Sequence, residues 1–164
     1  MAGERPRYVV IGIGNPDRGD DAVGRRVAQS LAGALPPEVE ILEQDGEATS
    51  LLACMEGVAA AWLIDACVSG KPAGTVQRYD VAAAPLPQDA FNLSTHGFGL
   101  AEAIELARAL DQLPPRCIVY AVEAGSVVAG APLSPAVAAA VDAVGVQVRA
   151  EITGVDAPEG RIDA

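Results

Sequence analysis

Histidine is scarce in this sequence, because the 164 residues include only His96. Imidazole ordinarily titrates between pH 5 and 8, so a reaction that needs it at neutral pH has a single candidate. Aromatic residues are also few, at 4%, but hydrophobic residues make up 51% of the chain, which excludes a disordered protein. The length predicts one domain over residues 1–152, followed by a flexible tail over residues 153–164.

Basic residues are outnumbered by acidic ones, 11 against 22, and the net charge is −11. Such a surface repels phosphate backbones and anionic lipids, so we expect neither nucleic acid nor membranes as partners. No apolar run reaches the ~18 residues of a membrane span, and the first residues lack the pattern of a signal peptide. The three cysteines include no C-x-x-C pair, as expected in a reducing compartment. These features predict a cytoplasmic protein.

Hydrophobic periodicity along the chain alternates between strand and helix patterns. Residues 58–67 are apolar on both faces, which is typical of a strand covered by helices on both sides. Residues 75–81 follow too soon for a helical crossover and predict an antiparallel edge strand. The other predicted strands are 8–13, 39–42 and 116–122, and the predicted helices are 21–35, 49–55, 96–110 and 133–148. This order predicts an α/β fold, a three-layer α/β/α sandwich with a mixed, mostly parallel sheet of about five strands.

A glycine-containing segment, residues 12–24, joins the first predicted strand to the first predicted helix. Such a turn is found in dinucleotide-binding proteins, but their fingerprint needs a third glycine where this chain has Asp17. Asp20 and Asp21 also stand where a pyrophosphate would bind, and their negative charges would repel it. A Walker loop is excluded as well, because no Gly-Lys-Ser/Thr follows.

The pair Asp20 and Asp21 begins the first predicted helix. Acidic side chains at this position ordinarily cap free N–H groups and complement the helix dipole, which contributes on the order of 0.5–2 kcal/mol. One capping aspartate is enough for that. The other, which we take to be Asp21, can point into the crevice at the carboxyl end of the strand, where α/β proteins bind ligands.

Two further side chains belong to connections at the same end of a parallel sheet. Asp65 ends an apolar strand, where the alternative is a turn aspartate. His96 follows a long predicted loop, residues 82–95, and begins a predicted helix, where capping or packing is the commoner role. We expect Asp65, together with Asp17, Asp20 and Asp21, to line an acidic crevice suited to a cation.

Asp21, Asp65 and His96 together allow two kinds of chemistry. Two carboxylates and an imidazole can bind a divalent first-row metal ion and leave coordination positions open. Alternatively, an Asp–His pair can activate water without a metal, for a rate gain of ~10²–10⁴. The absence of H-E-x-x-H and Gly-x-Ser-x-Gly argues against an ordinary zinc protease and a serine hydrolase.

Several stretches, spread over about residues 8–148, resemble the hydrogenase maturation endopeptidases. They are Gly12-Ile-Gly-Asn15 with Asp20-Asp21-Ala-Val-Gly24, Ile64-Asp65-Ala66, Ser94-Thr95-His96-Gly97-Phe98-Gly99-Leu100, and the segments at Glu123 and Leu133-Ser134-Pro135. The resemblance implies an α/β/α fold and an endopeptidase that removes the C-terminal extension of a nickel-loaded nickel–iron hydrogenase large-subunit precursor. It also implies that Asp21, Asp65 and His96 are the catalytic and metal-contacting residues. The nickel is expected to arrive with the substrate.

The resemblance extends to residues that contact the precursor. Asn15, Asp45 and Gly46 are predicted to bind substrate, since Asp45-Gly46-Glu47 stands where the family has an Asp-Gly-Gly-type turn that helps to select the partner. Glu47 departs from that pattern, and no second acidic residue follows Glu123 in residues 124–128. We expect the free protein to be a monomer.

Two alternatives remain open on the sequence. A nickel-sensing chaperone would dock on the precursor without cutting it, and the same residues would serve it. The opening Gly12-Ile-Gly-Asn15-Pro16 is also similar to that of peptidyl-tRNA hydrolases. Those enzymes need a basic groove for a polyanion, which a chain with a single lysine and a charge of −11 does not predict.

Overall fold

The computed structural model, which describes residues 5–87 and 99–154, contains both strands and helices. Within these ranges, five strands form one sheet, in the order β2-β1-β3-β5-β4. The strands are β1 Tyr8–Ile13, β2 Val39–Gln44, β3 Ala60–Cys67, β4 Val76–Asp80 and β5 Arg116–Glu123. The helices are α1 Val23–Leu31, α2 Ala48–Met55, α3 Leu100–Ala109 and α4 Pro135–Thr153, and a short 3₁₀ helix, Gly19–Ala22, precedes α1.

The sheet is mixed, as predicted. β1, β2, β3 and β5 are parallel, and the pairing of Tyr8 with both Val39 and Ala60 sets their register. β4 is antiparallel to β5 and lies at the sheet edge, with Val76 opposite Val122. The four parallel strands therefore end at one edge of the sheet, which we call the carboxyl edge.

Alternate residues of each strand enter separate hydrophobic cores on the two faces of the sheet. Ile11, Leu63 and Val119 pack with residues of α2 and α3. Val10, Trp62 and Ile118 pack with residues of α1 and α4 on the opposite face. This arrangement confirms the predicted three-layer α/β/α sandwich.

Two predicted helices have different ends in the structure. The first was expected to run to residue 35, but α1 ends at Leu31 and Gly33 adopts a φ of +77°, a conformation that favours glycine and leaves the helix. The last was expected to end near Val148, but α4 continues to Thr153. Its added turn is held by Glu151, which accepts hydrogen bonds from Arg78 and Tyr120.

Some predicted segments lie outside the described residues. These include residues 88–95 of the predicted loop, residues 96–98 of the third predicted helix and residues 155–164 of the predicted tail. In the ranges that the structure describes, none of the helices combines the length and apolar character needed to span a bilayer.

Candidate active site

The chain between β1 and α1 brings Asp21 to the carboxyl edge. Gly14 follows β1 with a φ of +143°, and a Cβ atom there would lie 1.9 Å from the carbonyl oxygen of Asp21. Only glycine allows this approach. The N–H of Asn15 donates to Asp21 Oδ2 at 2.9 Å, and the Asp21 residue is only 8% exposed. Asp21 is therefore held beside the end of β1.

Asp65 lies at the same edge, near the end of β3. Its position alternates with Ile64, so it lies on the α2 and α3 face of the sheet, with Leu63. The N–H of Ala66 donates to Asp65 Oδ1 at 2.8 Å. Burial and the negative charge of Asp21 raise the pKa of Asp65 well above its ordinary value, although the Ala66 hydrogen bond lowers it. The two carboxylates thus share one electrostatic environment.

The chemistry of this pair suits a cation. Two partly desolvated carboxylates of like charge repel each other, and a divalent ion between them would remove that repulsion. Oxygen ligands from Asp21 and Asp65 leave further coordination positions open. The third predicted ligand, His96, lies outside the described residues, three positions before Gly99, which is the residue preceding α3.

Asp20 does not line the predicted acidic crevice. Its side chain is fully buried and accepts hydrogen bonds from Gly125 N (2.7 Å), Ser126 N (2.9 Å), Ser134 N (2.6 Å) and Ser134 Oγ (2.6 Å). Burial alone would raise the pKa of Asp20, but these donors outweigh it and the pKa is lowered. We call this set the Asp20 clamp. The expectation that Asp20 faces a cation was wrong, because donors on the far loop hold its carboxylate.

Asp17 was also expected to line the crevice, but it is solvent-exposed. Its carbonyl oxygen accepts a hydrogen bond from Gly130 N at 2.7 Å, and its N–H donates to Asn15 Oδ1 at 2.9 Å. Asp17 thus shapes the turn after β1. Of the four aspartates expected around the crevice, Asp21 and Asp65 lie close enough for the charge of Asp21 to act on the Asp65 carboxyl.

Glu123 is a further buried carboxylate at the carboxyl edge, and the sequence did not predict its role. It accepts hydrogen bonds from Cys67 Sγ (3.1 Å), Ser69 N (2.8 Å) and Lys71 N (2.9 Å). Burial opposes its ionisation, but these donors lower its pKa. Burial and the bond to Glu123 raise the pKa of Cys67, so its thiol stays protonated and is a poor nucleophile. The sequence signals for Glu123 were an acidic residue at the end of an apolar strand and its place among the stretches of the family resemblance.

The residues predicted to bind substrate lie on adjoining turns. Gly14 N donates to the carbonyl oxygen of Gln44, the last residue of β2, at 2.9 Å, so the turns after β1 and β2 are neighbours. Asp45 is exposed, whereas Gly46 is buried with a φ of +102°. The side chain of Asn15 already accepts the Asp17 N–H. Contact of Asn15, Asp45 and Gly46 with a substrate stays a prediction.

Glu47, which departs from the family pattern, caps α2. Its carboxylate accepts hydrogen bonds from Thr49 N at 3.2 Å and from Ser50 Oγ at 2.8 Å, and also from Ser50 N and Thr49 Oγ1. These bonds satisfy N–H groups that have no partner within the helix. Glu47 therefore stabilises the start of α2 at this position.

Comparisons with known proteins agree on one family. The sequence model of the family described as hydrogenase maturation protease (HycI) matches residues 25–151. The chain is similar to the structure of the hydrogenase maturating endopeptidase HybD from E. coli, with 28% identity and a TM-score of 0.76, over 90% of this chain and 93% of that chain. It is also similar to a nickel–iron hydrogenase maturation protease HycI from Thermococcus kodakarensis KOD1, with 25% identity and a TM-score of 0.67, over 93% and 95% of the two chains. A search of curated proteins found no match.

Proposed function

Because the chain belongs to the hydrogenase maturation protease family, a family of peptide hydrolases, we propose that it removes the C-terminal extension of a nickel–iron hydrogenase large-subunit precursor after nickel insertion. The proposal places the reaction at the carboxyl edge of the sheet. Ligands and substrates of open α/β sheets commonly bind at that edge.

The observation that carries this proposal is the pairing of Asp21 with Asp65. Asp21 comes from the connection after β1 and Asp65 from the end of the neighbouring parallel strand β3, and the charge of Asp21 acts on the Asp65 carboxyl. Burial and the charge of Asp21 both disfavour the ionised form of Asp65. A cation brought by the substrate would offset the repulsion between the two carboxylates.

In this proposal Asp21, Asp65 and His96 contact the nickel ion that the precursor carries. The ion belongs to the substrate, so a precursor without nickel lacks the group that these side chains recognise. Nickel can also polarise the scissile carbonyl as a Lewis acid. The protein positions Asp21 for this contact, because Gly14 and the Asn15 N–H hold it at the place where the substrate binds.

The adjoining turns supply the surface for the rest of the precursor. Asn15, Asp45 and Gly46 flank the Asp21 side of the site along the carboxyl edge. We propose that they contact the precursor beside the scissile bond. We further propose that the protein works in the cytoplasm as a monomer until it meets the precursor, and that nucleic acid is no partner, given the net charge of −11.

Mass spectrometry of the large subunit tests this function. Purified protein is mixed with nickel-loaded precursor and, separately, with precursor purified without nickel. Loss of the C-terminal extension from the nickel-loaded form alone is the expected result. Cleavage of both forms at the same rate would show that nickel is not recognised.

Binding is measured in the same mixtures by size-exclusion chromatography. A stable complex with nickel-loaded precursor and no change of mass would replace the protease by a non-cleaving, nickel-sensing chaperone. Hydrolysis of a peptidyl-tRNA by the purified protein, with the precursor left intact, would point to an esterase instead. Each outcome therefore selects one of the three functions.

A further inference from the structure

The 3₁₀ helix Gly19–Ala22 carries two carboxylates with different surroundings. Asp21 accepts a hydrogen bond from Asn15 N, on the β1 side of the site. Its neighbour Asp20 is fully buried, and its four donors all belong to the loop between β5 and α4. The side chain of Asp20 thus ties the segment that bears Asp21 to a loop more than a hundred residues further along the chain.

Backbone contacts reinforce this attachment. Asp20 N donates to the carbonyl oxygen of Ser126 at 2.8 Å, and Gly130 N donates to the carbonyl oxygen of Asp17 at 2.7 Å. Gly19 has a φ of +55°, and a Cβ atom there would lie 2.5 Å from the same Ser126 oxygen. The 3₁₀ helix is therefore seated on the loop, and it cannot shift without breaking bonds to a buried charge.

We propose that Asp20 is a positioning residue for Asp21. It holds the 3₁₀ helix on the β5–α4 loop and so fixes where the Asp21 carboxylate stands at the carboxyl edge. Asp20 itself meets neither substrate nor metal, because its oxygens are occupied by the clamp donors. The consequence for cleavage rests on the proposed function, whereas the structural coupling does not.

A buried carboxylate suits this task because both of its oxygens accept hydrogen bonds. Asp20 Oδ1 accepts Ser134 N, and Asp20 Oδ2 accepts the other three donors. An asparagine at this position keeps one acceptor oxygen and sets an NH₂ group against a donor. Leaving a buried donor without a partner is costly, so the 3₁₀ helix should move away from the loop.

The test uses the Asn15 amide as a reporter, because it donates to Asp21 Oδ2. Amide hydrogen exchange is measured by NMR for the wild type, Asp20→Asn and Glu123→Gln under conditions in which all are folded. Glu123 is the matched control, since it is another buried carboxylate with several donors but none of them lies in the 3₁₀ helix or the β5–α4 loop. Asp20→Asn should speed exchange at Asn15 on the order of tenfold or more, and Glu123→Gln should leave it near the wild-type rate.

A milder pair of variants guards against failure to fold. Ser134→Ala removes one donor to Asp20, and Ser134→Thr keeps the hydroxyl. Ser134→Ala should speed Asn15 exchange severalfold and lower kcat for nickel-loaded precursor more than it raises KM, and Ser134→Thr should restore both. Unchanged Asn15 exchange in Asp20→Asn and Ser134→Ala, or equal acceleration in Glu123→Gln, would overturn the positioning role. If the wild type does not cleave the precursor at all, the proposed function fails. The amide exchange measurement still tests whether Asp20 positions Asp21.

Discussion

Gly12 in β1 and Gly24 in α1 meet backbone to backbone: a Cβ atom on Gly12 would lie 2.3 Å from the carbonyl oxygen of Gly24. Gly24 is equally crowded by other backbone atoms, since a Cβ atom on it would lie 2.2 Å from the carbonyl oxygen of Ile64 and 2.4 Å from that of Ile13. The first turn of α1 therefore rests on the ends of β1 and β3. This close packing sets the distance between the connection that carries Asp21 and the strand that carries Asp65.

Gly24→Ala should disrupt this contact. The added methyl group meets backbone atoms that cannot rotate away, and overpacking of this kind costs about 3 kcal/mol. Urea denaturation should show that loss, and cleavage should fall with it. Gly145→Ala in α4 is the control, because its Cβ atom would meet the Ser30 hydroxyl at 3.2 Å and helical alanine is favoured over glycine. Equal stability of the two variants would contradict the importance of the contact.

Asp65→Asn should separate stability from activity. Asparagine keeps an oxygen for the Ala66 N–H but removes a partly buried charge that stands near Asp21. The free energy of unfolding at pH 7 should therefore equal or exceed that of the wild type. Cleavage of nickel-loaded precursor should fall at least about a hundredfold.

The exposed Asp142 in α4 gives a matched control for that substitution. Asp142→Asn removes the same charge away from the carboxyl edge, so both activity and stability should remain near wild type. Retained cleavage by Asp65→Asn would remove Asp65 from the site.

Glu123 should make stability depend on pH in the acid range. Its folded-state pKa is below the ordinary value of 4.5, so its carboxylate stabilises the fold fully above that pH. The contribution is lost as the pH falls through the folded-state pKa. In urea denaturation at several pH values, the stability gap between the wild type and Glu123→Gln should be largest near neutrality and narrow below pH 4.5. A stability difference that widens towards acid pH would show that folding raises the pKa of Glu123 instead.

Glu151 should anchor the last turn of α4 without any role in cleavage. It accepts a hydrogen bond from Arg78 Nε at 2.7 Å and another from the hydroxyl of Tyr120. Glu151→Ala leaves both donors in a partly buried place without this acceptor and should cost about 2 kcal/mol. Thermal denaturation checks the loss, and kcat should stay near wild type.

The surface pair of Glu105 and Arg108 provides the comparison for Glu151. Its closest contact is 3.3 Å, and 51% of the Glu105 side chain is exposed. Glu105→Ala should change stability by less than about 1 kcal/mol, since exposed ion pairs contribute little. A loss as large as that of Glu151→Ala would show that burial does not distinguish the two pairs.

Most elements were predictable because their signals are local. The run at residues 8–13 predicted β1 with its observed bounds, and the short connection before residues 75–81 predicted an antiparallel edge strand, which β4 confirms. The ends of α1 and α4 were missed because distant or backbone effects decide them. Gly33 leaves the helix through a positive φ, and Glu151 is bound by Arg78 from another element.

The sequence by itself determined the fold class and predicted that Asp21 and Asp65 lie at one edge of the sheet, because the carboxyl ends of parallel strands share an edge. The family resemblance assigned the metal contact to Asp21, but only the tertiary structure showed that Asp20 is held by hydrogen bonds instead of lining the crevice. Both aspartates have the same side chain and stand in the same short segment, so the local sequence gives no reason for their surroundings to differ. The difference is made by Gly125, Ser126 and Ser134, whose donors come from a loop that the fold brings against Asp20. Hydrogen bonds to a buried charge are tertiary contacts, and the chain must fold before they exist.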